Sequence, residues 1–357
     1  MADTGRKVVI AMSGGVDSSV AAALLVQQGY DVTGMMLRLW SEEGTAGDNR
    51  CCTPDAMAQA RRIAALIGIP FYALDARDLF RHEVVDPFIQ EYVRGVTPNP
   101  CLLCNCKVRW GFLLDHARAM GADYLATGHY ARIRRTTEGS VELLKGLDER
   151  KDQSYVLSVL NQNQLRHTLY PLGEMTKPEV RQLARDFNLP VAERPESQDL
   201  CFLADGDYRR FLRDQAPGQV VPGPIVNAQG IVLGEHQGLA NYTIGQRKGL
   251  GVPSLTPLYV IGKDLATNTL RVGAVTDLGG RFLTANQMNW VSGQTPDVSL
   301  RVTVKIRYKA VELPAWVHLM DGDRARVELD TPARDITPGQ RAVFYQGDVC
   351  LGGGTIE

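Results

Sequence analysis

The sequence predicts an α/β protein: an N-terminal doubly wound, mainly parallel sheet with a helical extension, then two small β-rich domains, the last a β-barrel. Three observations carry this. From Lys7 to Gly128 short β-rich runs alternate with helical patterns, as in a parallel sheet covered on both faces. After Pro217, glycines and prolines punctuate short apolar runs, the texture of β-structure with tight turns. Arg301 to Lys309 alternates polar and apolar residues without a break, as a half-buried barrel strand does. Boundaries are predicted at 1–210, 211–279 and 280–357.

In chain order, the β-rich runs are Val8 to Met12, Val32 to Leu39, Phe71 to Leu74 and Tyr124 to Ala126. Helical patterns fall between them at about Ser18 to Gln28, Asp55 to Ile67, Leu79 to Arg94 and Lys107 to Met120. Residues from Val141 to Arg213 read as mostly helical and polar, and Lys177-Pro178-Glu179 after Thr176 marks a helix start. Ligands of open parallel sheets sit beyond the carboxyl ends of the strands. That rule gathers the turn after Met12, the end of the Val32 run and Thr127-Gly128-His129 around one crevice.

Apolar content of 44%, charged content of 22% and a net charge of −1 are those of an ordinary soluble chain. No overall basic field points to nucleic acid, so any such binding falls to local patches. No run has signal-peptide form or transmembrane length, which predicts a cytoplasmic protein with no membrane partner. Seven cysteines then read as thiols, ligands or catalysts in a reducing compartment.

Ser13-Gly14-Gly15-Val16-Asp17-Ser18-Ser19 follows the first strand and opens the first helix. Paired glycines bring bare N–H groups close to an anion, and the helix adds its own unpaired N–H groups and dipole. Three serine hydroxyls surround the turn, and Asp17 can orient Mg²⁺ or cap the helix. The loop lacks the Gly-Lys-Ser/Thr ending of a Walker loop and the Gly-x-Gly-x-x-Gly of a dinucleotide fold. It resembles the pyrophosphate-binding loop of the ATP pyrophosphatases, which split ATP into AMP and pyrophosphate to activate a carbonyl oxygen.

Thr97-Pro98-Asn99-Pro100-Cys101-Leu102-Leu103-Cys104-Asn105-Cys106 is the second focus. Its prolines predict extended chain, with Cys104 just before a helix near Lys107 and close to Lys107 and Arg109, which favour thiolate. Structural zinc lacks a second Cys pair. Cys201, in Glu196-Ser197-Gln198-Asp199-Leu200-Cys201-Phe202, reads by itself as a core cysteine. Cys51 and Cys52 open a helix as structural residues, Cys350 is a small packed residue, and Cys106 is an extra thiol. Arg301, Thr303, Lys305, Arg307 and Lys309 share one strand face, and no acid interrupts the cations; like charges so placed await an anion such as a phosphate backbone. Arg132, Arg134 and Arg135 form a second basic face and Arg150-Lys151 a third.

Five further stretches resemble the bacterial tRNA-specific 2-thiouridylases, in order and over almost the whole chain. They are Asn99-Pro100-Cys101-x-x-Cys104-Asn105, Ala126-Thr127-Gly128-His129-Tyr130, Lys151-Asp152-Gln153-Ser154-Tyr155, Tyr242 to Leu250, and Thr337-Pro338-Gly339-Gln340 with Cys350-Leu351-Gly352-Gly353-Gly354. The resemblance implies that Ala11, Met12, Ser13, Gly14, Gly15, Val16, Asp17 and Ser18 hold the ATP phosphates with Mg²⁺, and that Leu37 and Gly128 lie beside the adenosine. It implies Cys104 as the nucleophile and Cys201 as the persulfide carrier, loaded by a sulfur-donor protein. Asn99, Pro100 and Cys101 would face the target base; His129, Lys151, Asp152, Gln153, Arg307, Tyr308 and Gln340 would contact tRNA. Some relatives carry Asp where this chain has Cys101, so a proton-transfer role does not carry over. The implied reaction adenylates the 2-oxygen of a flipped-out wobble uridine and replaces it with sulfur. Cys104 would release hydrosulfide by forming a disulfide with Cys201, or would assist attack on the activated carbon. Cys101, Cys104 and Cys201 could instead hold a 4Fe–4S cluster. The remaining alternative is a small-molecule synthetase with the same loop, which leaves the thiols and the cationic strand unexplained.

Overall fold

The computed structural model describes residues 5–42, 54–195, 200–203 and 205–357. Cys51, Cys52 and Glu196 to Asp199 lie outside the described residues.

The first strands and helices alternate: β1 (Lys7–Ala11), α1 (Val16–Gln27), β2 (Asp31–Arg38), α2 (Pro54–Leu66) and β3 (Phe71–Asp75). A helical run follows with α3 (Arg77–Phe80), a wide turn over Arg81–Val85 and α4 (Asp86–Val93). Next come α5 (Pro100–Leu103), wide turns over Cys104–Leu113, α6 (Leu114–Ala119) and β4 (Tyr124–Ala126). After β5 (Ala131–Arg135), β6 (Val141–Lys145), α7 (Ser154–Leu157) and α8 (Gln162–Arg166), the two-residue strand β7 (Thr168–Leu169) completes the first sheet. Its order is β3-β2-β1-β4-β7 and every pairing is parallel. Successive side chains of β1 point to opposite faces. Val8 and Ile10 join a core with α1, α2 and α9 (Lys177–Asp186), while Val9 joins a core with Trp110, Leu113 and Leu114. Helices therefore cover both faces, as a buried parallel sheet demands.

After α10 (Tyr208–Gln215), β8 (Gly223–Val226), β9 (Val232–His236), β10 (Tyr259–Asp264) and β11 (Thr269–Gly273) form a small sheet in the order β10-β11-β8-β9. The last unit has β12 (Gly280–Trp290), β13 (Leu300–Lys305), β14 (Leu313–Leu319), β15 (Ala325–Ala333), β16 (Arg341–Gln346) and β17 (Val349–Ile356). Their order is β12-β15-β14-β13-β16-β17, and β12 also pairs with β17, which closes a six-stranded barrel and removes its edges. Val302, Val304 and Ile306 point into the barrel core as their alternation predicts.

Two expectations fail here. Val141–Lys145 is a strand, not part of a helical segment; with Ala131–Arg135 it forms a hairpin that extends the barrel sheet through β17. The chain from Pro100 is helical where extended backbone was expected. Asn99 is extended at φ −121°, ψ 90°, and Pro100 takes the first helical position, where its missing N–H has no intrahelical partner to lose.

Candidate active site

The turn between β1 and α1 is tied by its own serines. Ser13 N–H donates to Ser18 Oγ at 3.1 Å, and the Ser18 and Ser19 hydroxyls donate to the Gly15 carbonyl at 3.3 and 2.7 Å. Gly14 has φ +73°, and a Cβ there would lie 2.6 Å from the Ala56 carbonyl oxygen, so only glycine fits. Gly15 caps α1 with no side-chain bond, which leaves the first N–H groups of the helix to a ligand. Asp17 does not cap. Its Oδ1 accepts from Lys177 Nζ at 2.6 Å and from Tyr130 Oη at 2.8 Å. Gly128 packs so closely on this turn that a Cβ would lie 2.8 Å from the Ser18 nitrogen. Ala11, Met12 and Val16 complete the strand–turn–helix, with Met12 and Val16 buried.

Leu37, at the end of β2, packs against the cluster that holds both implied thiols. That cluster contains Phe80, Val84, Phe88, Cys104, Phe202 and Phe211, with Leu37 and Cys201 against it. Cys104 and Cys201 are 97 positions apart (201 minus 104), and the fold brings them to one apolar patch beside the β-strand ends. Cys104 is buried, Cys201 half-buried and Cys101 exposed. The expected setting of Cys104 is corrected in one respect. It lies in the second turn of a helix that begins at Pro100, not ahead of one. Among the described residues, no three His, Cys, Asp or Glu side chains are placed to hold a metal ion. Cys101, Cys104 and Cys201 are not such a group.

The barrel grips the segment before the thiol helix. Thr97 N–H donates to the Pro338 carbonyl at 3.0 Å, and Gln340 Nε2 donates to the Thr97 carbonyl at 2.9 Å. From the small sheet, Lys263 Nζ donates to the Gly95 carbonyl at 2.9 Å; burial pulls that ammonium down to about 8. Asn99, Pro100 and Cys101 follow at once. Tyr308 stands nearby, its phenol pushed up to about 12 by burial first, then by Asp152 and Cys101.

Other expected contacts point inward. His129 is buried, and burial together with Arg109 holds its ring well below the usual value. Arg109 can only donate, so Nε2 accepts at 3.0 Å and Nδ1–H donates to Thr127 Oγ1 at 2.7 Å. Asp152 is buried, accepting from Gly146 N–H, Ser154 N–H and Lys305. Gln153 Oε1 accepts from Tyr130 N–H at 2.9 Å, and Lys151 is half-buried. Arg307 donates to the Ile244 carbonyl and Thr337 Oγ1, joining barrel to small sheet. The cationic strand also finds anions within the protein. Arg301 pairs with Asp330, and Lys305 with Asp152 and Glu312; Arg132 and Arg134 pair with Asp348 and Glu142. Charge repulsion along Arg301–Lys309 thus gives no sign of RNA, because distant segments supply the acids. Lys177 and Arg194 at the phosphate loop went unread, Lys177 appearing in the sequence only as a helix start.

Fold and site together define a phosphate-loop α/β protein with Cys104 and Cys201 in one apolar patch and a C-terminal barrel. The family model described as tRNA methyl transferase HUP domain matches residues 6–205. Those described as tRNA methyl transferase PRC-barrel domain and aminomethyltransferase beta-barrel domain match 209–274 and 281–356. A tRNA-specific 2-thiouridylase of Moorella thermoacetica is 50% identical, over 98% of this chain and 99% of that one. One from Geobacter metallireducens is 47% identical, over 99% and 97%. The chain belongs to the tRNA-specific 2-thiouridylase family. Among solved structures, a 4-thiouridine synthetase–RNA complex with bound ATP aligns at a TM-score of 0.33 and 15% identity, over 60% of this chain and 51% of that one, too slight a likeness to carry weight.

Proposed function

We propose that this protein replaces the 2-oxygen of the wobble uridine of tRNA with sulfur at the expense of ATP. The observation that supports it is the shared patch of Leu37, Cys104 and Cys201, which brings a pair of thiols together at the end of β2. The family relatives named as tRNA-specific 2-thiouridylases support the substrate. Thiolation also suits these residues better than the methyl transfer in the family models' descriptions, since a phosphate turn and two thiols serve oxygen activation and sulfur delivery.

The turn Ser13–Ser18 presents N–H groups and hydroxyls to the ATP phosphates, with Leu37 and Gly128 beside the adenosine. Mg²⁺ takes few protein ligands and several phosphate oxygens; Asp17 would hold it through the carboxylate oxygen that Lys177 and Tyr130 do not engage, and it would supply charge neutralisation on the phosphates. Asn99, Pro100 and Cys101, with Tyr308, meet the flipped base, and Lys151 and Gln340 flank the RNA path. The uracil 2-oxygen attacks the α-phosphorus; pyrophosphate leaves and the base is adenylated. Cys201 arrives charged as a persulfide by a donor protein. The Cys104 thiolate attacks the Cys201 sulfur, the persulfide S–S bond breaks, hydrosulfide departs and a Cys104–Cys201 disulfide forms. Hydrosulfide adds to C2 and AMP leaves with the former 2-oxygen. A cytoplasmic dithiol then reduces the disulfide.

The test is mass spectrometry of nucleosides from tRNA incubated with the protein, ATP and a persulfide donor. 2-Thiouridine must appear only with ATP, and Cys201→Ala and Cys104→Ser must each abolish it; full product from either variant removes that residue from the reaction.

A further inference from the structure

Against the phosphate turn stands a guanidinium with no role in the chemistry above. Arg194 Nη1 donates to the Gly14 carbonyl at 2.8 Å. On its other side the same glycine is boxed in by the Ala56 carbonyl. In a trans peptide the carbonyl and the following N–H point in opposite directions. Holding the Gly14 carbonyl therefore fixes the direction of the Gly15 N–H, one of the bare donors a phosphate oxygen meets. A Gly–Gly peptide is the least restrained of all against rotation about its flanking bonds, so an external hold on it has an effect.

Arg194 is itself held. Arg181, on α9, donates Nη1 to the Ala192 carbonyl at 2.7 Å and both terminal nitrogens to the Arg194 carbonyl at 3.3 Å. Val191 and Ala192 are buried in the core shared by α1 and α9. A continuous brace runs from α9 through the Val191–Arg194 backbone to the turn.

We propose that Arg194 is a positioning residue for adenylation, holding the Gly14–Gly15 peptide so that its N–H faces the phosphates of ATP. It deepens the reading of this turn as the ATP-phosphate site and rests on it. Donors fixed in advance act without reorganisation, and loss of one such donor costs a large factor in rate.

The experiment is tRNA-dependent ATP–pyrophosphate exchange by the full chain, with Arg194→Met and Arg194→Lys beside the unaltered protein. Arg194→Met is expected to lower kcat/KM for ATP by about tenfold or more. Inhibition by adenosine, which has no phosphate, should stay unchanged, and Arg194→Lys, whose ammonium can still donate to the Gly14 carbonyl, should recover most of the loss. Wild-type kcat/KM in Arg194→Met overturns the proposal, and so does an equal loss of affinity for adenosine, which marks collapse of the whole pocket. If the unaltered protein shows no ATP-dependent exchange, the reading of the turn falls first and the proposal with it.

Discussion

Phe202 follows Cys201 directly and is the wedge that seats it. Its ring is 2% exposed and meets Phe88, Phe211 and Phe80 at centroid distances of 5.1, 5.8 and 5.9 Å, each near edge-on. Phe202→Ala removes a buried aromatic from the centre of the thiol cluster, a change that costs about 3–5 kcal/mol. If that loss is confined to the cluster, about 3 kcal/mol raises its open population by roughly 100-fold. Cys104 lies in the same cluster and is 8% exposed, while Cys101, three residues earlier on the same helix, is exposed. The assay is alkylation by iodoacetamide, with the Cys104/Cys101 ratio read by peptide mass spectrometry. The ratio should rise by about two orders of magnitude, and thiolation should fall as the pair loses its register. An unchanged ratio, with global stability lowered by less than about 1 kcal/mol, would refute the placing of both thiols around Phe202.

Asp17→Ala should abolish tRNA-dependent pyrophosphate release while filter-binding affinity for tRNA survives; undiminished release would contradict the assignment of the turn. Lys263 titrates near 8 in the fold, below its ordinary 10.5, because burial disfavours the ammonium. Its folded value is the lower one, so the cost of burial is full below pH 8 and fades as the native state loses its proton between 8 and 10.5. Thermal unfolding should therefore show wild type gaining up to about 3 kcal/mol over that window relative to Lys263→Met; parallel curves would contradict it. Gln340→Ala leaves the Thr97 carbonyl without its donor and should cost about 1–3 kcal/mol locally, read as faster hydrogen exchange at the Thr97 amide. Exchange as slow as wild type would show that the barrel does not hold this segment.

The strand–turn–helix at Ser13–Asp17 was legible because it is local: paired glycines, serines and a following helical period decide it within about ten residues. Val302, Val304 and Ile306 were legible for the same reason, since period-two alternation reports one buried face. What escaped depends on distant chain. The basic spacing of β5 read as a strand, but its partner β6 was placed in a helical stretch, and its pairing with β17 lies two hundred positions later. The cations of β13 seemed unpaired because their acids, Asp152 and Asp330, come from other segments. Pro98 and Pro100 were read as holding the chain out of helix, yet Pro at the first helical position starts one. Lys177 carries only a helix-start signal and Arg194 none. Their contacts with Asp17 and Gly14 are found only by folding.

The central claim, that two thiols beside an ATP turn deliver the sulfur, is tested most directly by a single turnover. Protein carrying persulfide on Cys201 is mixed with ATP and excess tRNA without reductant, and non-reducing peptide mass spectrometry is run beside nucleoside analysis. A Cys104–Cys201 disulfide formed in step with one 2-thiouridine per loaded protein is the expected result; 2-thiouridine made while both cysteines end as free thiols would contradict it.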